Sequence, residues 1–223
     1  MLSLQLYDKL LELPLFQGLS KENLAVIVSQ TKLGFIKLRS GQEIVRAGEP
    51  CEALYILMSG MMEVETKSDD YGYTFLEELT APQTIQIESI FGLKPRYTRT
   101  YRAKGVCNFL SLEKNELIKL LDAYLIFRIN FLNAVSTYAQ RLSRLPWKHH
   151  PNTIQGRLIH FFSTHCLAPV GKKVLVVKMI KLAEELNDTR LEVSKGLNEL
   201  EEQGLVRLYR GKVEIPALEK LFY

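Results

Sequence analysis

Lys178-Met-Ile-Lys-Leu-Ala-Glu-Glu-Leu-Asn-Asp-Thr-Arg-Leu-Glu-Val-Ser-Lys-Gly-Leu-Asn-Glu-Leu-Glu-Glu-Gln-Gly-Leu-Val-Arg-Leu-Tyr-Arg-Gly-Lys-Val-Glu-Ile215 holds two helical patterns and a hairpin with no residue to spare. Met179, Leu182, Ala183 and Leu186 recur at steps of three and four, which is one face of a helix. Asn187 tolerates left-handed backbone angles and can end that helix, and Asp188 or Thr189 can cap the next by accepting its free amide hydrogens. A second helix is therefore expected from near Arg190, over about 189–203, with Val193, Leu197 and Leu200 on its buried line. At about 100° per residue, Leu191, Lys195 and Asn198 point the opposite way, with Arg190 and Ser194 beside them. Beyond Gly204, two short alternating runs surround Gly211-Lys212, read as a hairpin turn.

A helix of this size, with Arg, Ser, Lys and Asn outward, has the donors to enter a major groove: Arg or Lys suit guanine, and Asn suits adenine. Glu199, Glu201 and Glu202 in its last turns are expected to lie away from phosphates. Arg207, Arg210 and Lys212 put positive charge on the hairpin. The plainer alternative is a solvated basic hairpin on a structural helix pair, since this geometry also occurs without DNA.

The segment resembles the winged helix-turn-helix of the CRP/FNR family of bacterial transcription regulators. Thr189-Arg-Leu-Glu-Val-Ser-Lys through Gly204-Leu-Val206 is similar, without a gap, to the family's Ser-Arg-Glu-Thr-Val-Ser-Arg…Leu-Glu…Gly-Leu-Ile run. The resemblance puts Arg190, Leu191, Ser194 and Lys195 on base-contacting positions, with Thr189 and Asn198 beside them. Leu191 departs from the family's glutamate, which accepts from cytosine. A leucine can touch a thymine methyl or fill space, so a different target sequence is expected.

The chain has 223 residues, is 47% hydrophobic and carries a net charge of +4. This is enough for one large domain or two. Residues 146–223 hold 12 Lys and Arg against 9 Asp and Glu, a weak excess that favours an acidic partner. The N-terminus lacks a basic region followed by a long apolar core, and no run reaches about 18 apolar residues. A cytoplasmic protein without membrane association is expected. Cys51, Cys107 and Cys166 form no Cys-x-x-Cys pair and read as buried thiols. His149 and His150 fall in an expected hinge, and His160 and His165 on one helix. Neither pair has companion ligands, so no metal and no cofactor is expected.

Residues 1–30 read as helices, with Ser20 able to cap the second. From Leu33 to about Leu112, short β-branched runs are punctuated by glycines, which suggests a roll or jelly-roll. Leu38 to Pro50, followed by Leu54-Tyr-Ile-Leu-Met-Ser-Gly60, resembles the cyclic-nucleotide-binding fold. In relatives that bind cyclic AMP, a Gly-Glu step and an Arg followed by Ser or Thr hold the phosphate. Here Thr98 falls on the Ser or Thr position, Tyr97 replaces the arginine, and the Gly-Glu step falls near Gln86-Ile87, with Glu88 one residue late. Loss of the arginine would leave a buried phosphate without its bidentate partner. Arg96 and Arg99 stand nearby as substitutes, on one face if the strand is regular, which Pro95 puts in doubt. The resemblance thus implies a small effector other than cyclic AMP, or none, with Glu88, Arg96, Tyr97, Thr98 and Arg99 as its candidate site.

Glu113 to Leu145 reads as helix. Phe127, Phe131, Ala134, Tyr138 and Leu142 form one stripe, and Leu125, Ile129, Leu132 and Val135 lie on a neighbouring face. The first stripe is assigned to a homodimer interface, as the family's long helix implies; burial within one chain is the alternative. Pro146 and Pro151 break the helix, Asn152 can cap the next, through about His165, and Val170 to Val177 suggests a small strand pair. The resemblance also places Leu145 and Pro146 where the cyclic-AMP receptor has its adenine-contacting Thr-Ser pair.

The fold expected is α+β: an effector domain at 1–123, a dimerisation helix and hinge at 124–146, and a winged helix-turn-helix at 147–223. The function expected is a homodimeric, sequence-specific regulator on double-stranded DNA, with RNA polymerase as a further partner. The alternative is a sensing module that regulates a protein partner without DNA. A cupin-type enzyme would need barrel histidines, and all four lie at or after His149.

Overall fold

The computed structural model describes residues 2–147 and 151–222. The elements in chain order are α1 (Leu2–Leu11), α2 (Lys21–Gln30), β1 (Leu33–Leu38), β2 (Glu43–Val45), β3 (Ala53–Ser59), β4 (Met61–Lys67), β5 (Tyr73–Thr80), β6 (Gln83–Thr84), β7 (Thr100–Ala103), β8 (Cys107–Glu113), α3 (Lys114–Ala123), α4 (Leu125–Arg144), α5 (Ile154–His165), β9 (Lys173–Val177), α6 (Met179–Glu185), α7 (Arg190–Glu202), β10 (Arg207–Tyr209) and β11 (Lys212–Ile215). The hinge histidines His149 and His150 lie outside the described residues.

Two compact units divide the chain. One comprises residues up to Met62 together with Thr80–Arg144; the other joins Glu63–Leu79 to everything from Leu145 onward. In the first unit, β1, β8, β3 and β6 form an antiparallel sheet in that order, and β2 pairs with β7. The described strands make these sheets and no closed barrel. Alternate residues Leu54 and Ile56 on β3 and Leu110 and Leu112 on β8 are buried, as the period of a half-buried strand requires. Ser20 caps α2 by accepting from the Asn23 amide at 3.1 Å. On α4, Phe127 and Phe131 are buried in this unit: Phe127 meets Phe16 edge to face at 5.2 Å, and Phe131 meets Phe91 at 5.8 Å. These two residues of the expected dimer stripe are thus enclosed by their own chain. Tyr138 is half-buried and Leu142 exposed, and the large exposed apolar residues of α4 are Leu125, Ile126, Ile129, Leu132 and Leu142.

The second unit is built on α5, α6 and α7 with the antiparallel strand order β10-β11-β9-β5-β4. The hairpin of β4 and β5 is therefore a structural part of the C-terminal unit, paired residue for residue from Tyr73↔Val177 to Glu77↔Lys173. The expected strand pair at 170–177 is the single strand β9, which takes its partners from β11 and β5. Thr153, not Asn152, caps α5, accepting from the Gly156 amide at 3.1 Å. Phe75, Leu158, Phe162, Leu175, Leu182, Val193 and Leu197 share one core. Each contributes roughly 1.5–3 kcal/mol by leaving water. No helix among the described residues is long and apolar enough to cross a membrane.

Candidate functional site

A polar surface of the second unit begins at the turn between α6 and α7. Asn187 takes a left-handed backbone, φ 50°, which its short polar side chain tolerates. Its amide bonds the Glu184 carbonyl at 3.1 Å and that of Asp188 bonds Ala183 at 3.0 Å, closing the end of α6. Asp188 accepts from the Thr189 amide at 2.7 Å and pairs with Arg157 of α5. Thr189 then caps α7, its hydroxyl accepting from the Glu192 amide at 3.2 Å. The start of α7 is thus fixed by the left-handed turn at Asn187 and by the side chains of Asp188 and Thr189.

Val193, Gly196, Leu197 and Leu200 are the buried line of α7. Gly196 lets the helix close on α5: a Cβ there would stand 3.0 Å from Ile154 Cγ2 and 3.2 Å from Leu158 Cδ1. Opposite this line Leu191, Lys195 and Asn198 are exposed, flanked by Arg190, also exposed, and the half-buried Ser194. The sequence reading placed these residues on one face, and they share it. Arg190, Lys195 and Arg210 have no carboxylate partner among the described residues. The glutamates of the last turns have structural work that the spacing did not reveal: Glu201 accepts from the Leu208 amide at 2.7 Å, and Glu199 accepts from the Gln155 side chain at 2.7 Å.

β10 and β11 close through Tyr209↔Lys212, so the turn residues are Arg210 and Gly211, one earlier than expected. Gly211 supplies the positive φ, +73°. Glu214 on β11 gathers Lys172 at 3.0 Å, Arg207 at 3.4 Å and Lys212 at 4.0 Å. Lys172 above all, with Lys212 and Arg207, holds its carboxyl below the usual range. Arg210 remains at the hairpin tip, and Lys212 lies over the Tyr209 ring at 4.9 Å from its centroid.

In the first unit, Gln86 has a left-handed backbone, φ 38°, and a buried side chain whose oxygen accepts from both the Thr98 amide and the Thr98 hydroxyl, each at 2.8 Å. Both donors of Thr98 are thereby occupied from within the chain. Nothing in the residue pattern pointed to Gln86 as their acceptor. Tyr97 is buried and donates its hydroxyl to the Ala53 carbonyl at 2.6 Å; burial raises its pKa far above the ordinary phenol value, so it stays neutral. Residues 96–99 are not a regular strand, and Arg96 and Arg99 part company. Arg96 is exposed and donates to the Gly48 carbonyl at 2.7 Å, while Arg99 is turned inward to Glu88 at 3.5 Å. Burial opposes the charge on Arg99, and Tyr101, Tyr138 and Glu88 outweigh it, so the guanidinium stays charged beside α4. The five candidate effector residues thus lie in one region with internal partners. Cys51, Cys107 and Cys166 are buried and in no disulfide among the described residues, and no group of three or more His, Cys, Asp or Glu among them could hold a metal ion.

Residues 35–124 match the cyclic nucleotide-binding domain family. The whole fold is similar to the catabolite activator protein of Thermus thermophilus, at 21% identity over 94% of this chain and 96% of that one, TM-score 0.53. A protein assigned to the CRP/FNR family, from Eubacterium rectale, is similar at 16% identity over 95% and 97%, TM-score 0.51. The sensor domain of the transcriptional regulator DNR from Pseudomonas aeruginosa matches 64% of this chain with 94% of its own, at 22% identity and TM-score 0.54. No curated protein sequence matches the chain.

Proposed function

We propose that this chain, which carries a CRP/FNR-family sensor domain of the cyclic-nucleotide-binding type, is a non-catalytic, sequence-specific DNA-binding regulator of transcription that acts as a homodimer. The observation that carries the reading is the outer face of α7. A capped helix turns Leu191, Lys195 and Asn198 away from its packing line, flanked by Arg190 and Ser194, with Arg190 and Lys195 free of carboxylates among the described residues. In this reading α6, α7, β10 and β11 are a winged helix-turn-helix. The N-terminal part of α7 lies in the major groove, Thr189 stands at its entry, and Arg207, Arg210 and Lys212 of the wing meet phosphates.

The dimer is assigned to α4. With Phe127 and Phe131 committed to the core, the partner-facing stripe moves to the neighbouring face of Leu125, Ile129 and Leu132, while Ala134 and Tyr138 are half-buried on the Phe127 side and Leu142 is exposed. Exposed apolar residues at three- and four-residue steps along a 20-residue helix suit a parallel helix pair. Two α7 helices carried by such a pair would read half-sites about one helical turn apart. RNA polymerase is a further partner in this reading.

The sensor is assigned to a small effector other than cyclic AMP. Tyr97 offers a neutral hydroxyl, already given to Ala53, where a cyclic phosphate would need a cation. An effector at Glu88, Arg96, Tyr97, Thr98 and Arg99 would have to displace the Gln86 side chain from Thr98. Selecting bound fragments from a pool of random duplexes tests the whole reading. A shared, two-fold symmetric motif is the expected result, and recovery of unselected sequence would refute it.

A further inference from the structure

Leu191 is a large apolar side chain in the first turn of α7, 76% exposed, on a face whose other members are polar or charged. It stands near the midline of that face. At about 100° per residue, its direction is nearly opposite the mean of Val193, Leu197 and Leu200, with Asn198 and Lys195 close on either side. The position is also held firmly. Thr189 caps the helix immediately before it, Asp188 ties that cap to Arg157, and Gly196 seats the helix on Ile154 and Leu158. An isolated surface leucine is ordinary. A leucine fixed at the centre of a helix face otherwise composed of hydrogen-bonding groups has a chemical consequence.

We propose that Leu191 is a specificity residue that reads the 5-methyl group of a thymine in each half-site. The inference rests on the DNA-reading assignment of α7 and names the base that its central residue selects. In the major groove, guanine and adenine present acceptors, adenine and cytosine present amino donors, and thymine alone presents a methyl group. An isobutyl side chain can neither donate nor accept. Opposite guanine, cytosine or adenine it would strip water from base-edge groups without replacing the lost hydrogen bonds, which is a penalty. Opposite thymine it buries one methyl group against its own. Arg190, Ser194 and Lys195, around it on the same face, would supply the hydrogen bonds to neighbouring bases and phosphates.

The test uses the full-length protein and a duplex recovered by selection from random DNA, with each thymine replaced in turn by deoxyuridine, which removes only the methyl group. Wild-type protein should lose about fourfold in affinity, the worth of one buried methyl, at one position per half-site and at no other position facing α7. Replacing that thymine by cytosine should weaken binding further, and 5-methylcytosine should recover part of the loss. Leu191→Ala should bind the thymine and deoxyuridine duplexes alike, while Leu191→Met, which keeps an apolar contact, should still tell them apart. Indifference of the wild type to every methyl removal overturns the proposal. So does a methyl preference that survives unchanged in Leu191→Ala. Should no duplex be bound by the wild type, the DNA-reading assignment itself falls, and the exposed leucine would then be a contact for a protein partner.

Discussion

Lys173 Nζ lies 2.8 Å from the carboxylate of Glu77, and both side chains are wholly buried. Glu77 is on β5 and Lys173 on β9, paired directly across the strands. The same carboxylate accepts from the Leu167 amide at 2.8 Å and the Ala168 amide at 3.3 Å. A buried charge is held by its counter-charge, so this pair ties the 63–79 hairpin into the unit that carries α7.

Lys173→Met should therefore leave Glu77 buried without its counter-charge and destabilise the second unit by about 3–5 kcal/mol. The double variant Glu77→Met with Lys173→Met should regain a large part of that loss, since apolar residues carry no charge to desolvate. Chemical denaturation of the single and double variants measures both. Additive losses in the double variant would mean that the two groups do not act on each other.

A second tie holds the hairpin tip to α6. Lys181 lies 2.6 Å from Asp70 and 2.7 Å from Glu185. The Lys181 ammonium first, then Ser68 and the Gly72 amide, pull the Asp70 carboxyl below its ordinary 3.8. Asp70 and Glu185 in turn raise Lys181 above its ordinary 10.5. A lowered acid contributes fully above its unfolded value and fades as pH falls through the folded one; a raised base contributes fully below its unfolded value and fades as pH rises through the folded one. The clamp is thus at full strength from about pH 4 to about pH 10. Asp70→Asn should flatten the fall in stability below about pH 4 and leave the slope between pH 5 and pH 9 unchanged. Denaturant midpoints across that range give the comparison, and an equally steep acid limb in the variant would rule the clamp out.

Gln86 occupies both donors of Thr98, so the wild-type protein should show no protection of residues 84–102 against hydrogen exchange when cyclic AMP is added. Gln86→Ala removes the acceptor and should speed exchange of the Thr98 amide by roughly five- to tenfold, the worth of about 1 kcal/mol of hydrogen bonding. Clear protection of the wild type by cyclic AMP would show that the internal acceptor is readily displaced.

Base and phosphate contacts predict different losses. Lys195→Ala should weaken binding to a selected duplex by about 1–3 kcal/mol and binding to random duplex by less. Arg210→Ala, at the wing tip, should weaken both evenly and lower the salt slope by about one. Affinities of each variant on both duplexes at several salt concentrations separate the roles. Equal losses for Lys195→Ala on the two duplexes would remove it from base reading.

The helices of the second unit were legible because their signals are local: Thr189 caps α7, Asn187 ends α6, and Val193, Leu197 and Leu200 keep the helical step. The wing turn was read one residue late because Gly211 alone does not say whether it is the first or second residue of a turn; the Tyr209↔Lys212 pairing does. Both apolar faces of α4 were visible, but which face meets its own chain depends on Phe16 and Phe91, distant in sequence. The same distance hid the pairing of β5 with β9 and the Glu77–Lys173 contact. Gln86 was missed as the acceptor for Thr98 because glutamine carries no particular preference for the left-handed backbone that brings its amide there.

In the proposed regulator a pair of these chains presents two copies of the Lys195 face to duplex DNA. Titrating labelled selected and random duplexes with purified protein, at salt from about 50 to about 200 mM, tests it most directly. A dimer should bind the selected duplex at least about a thousandfold more tightly than random duplex, with affinity falling steeply as salt rises. A monomer that binds no duplex even at the lowest salt would contradict it.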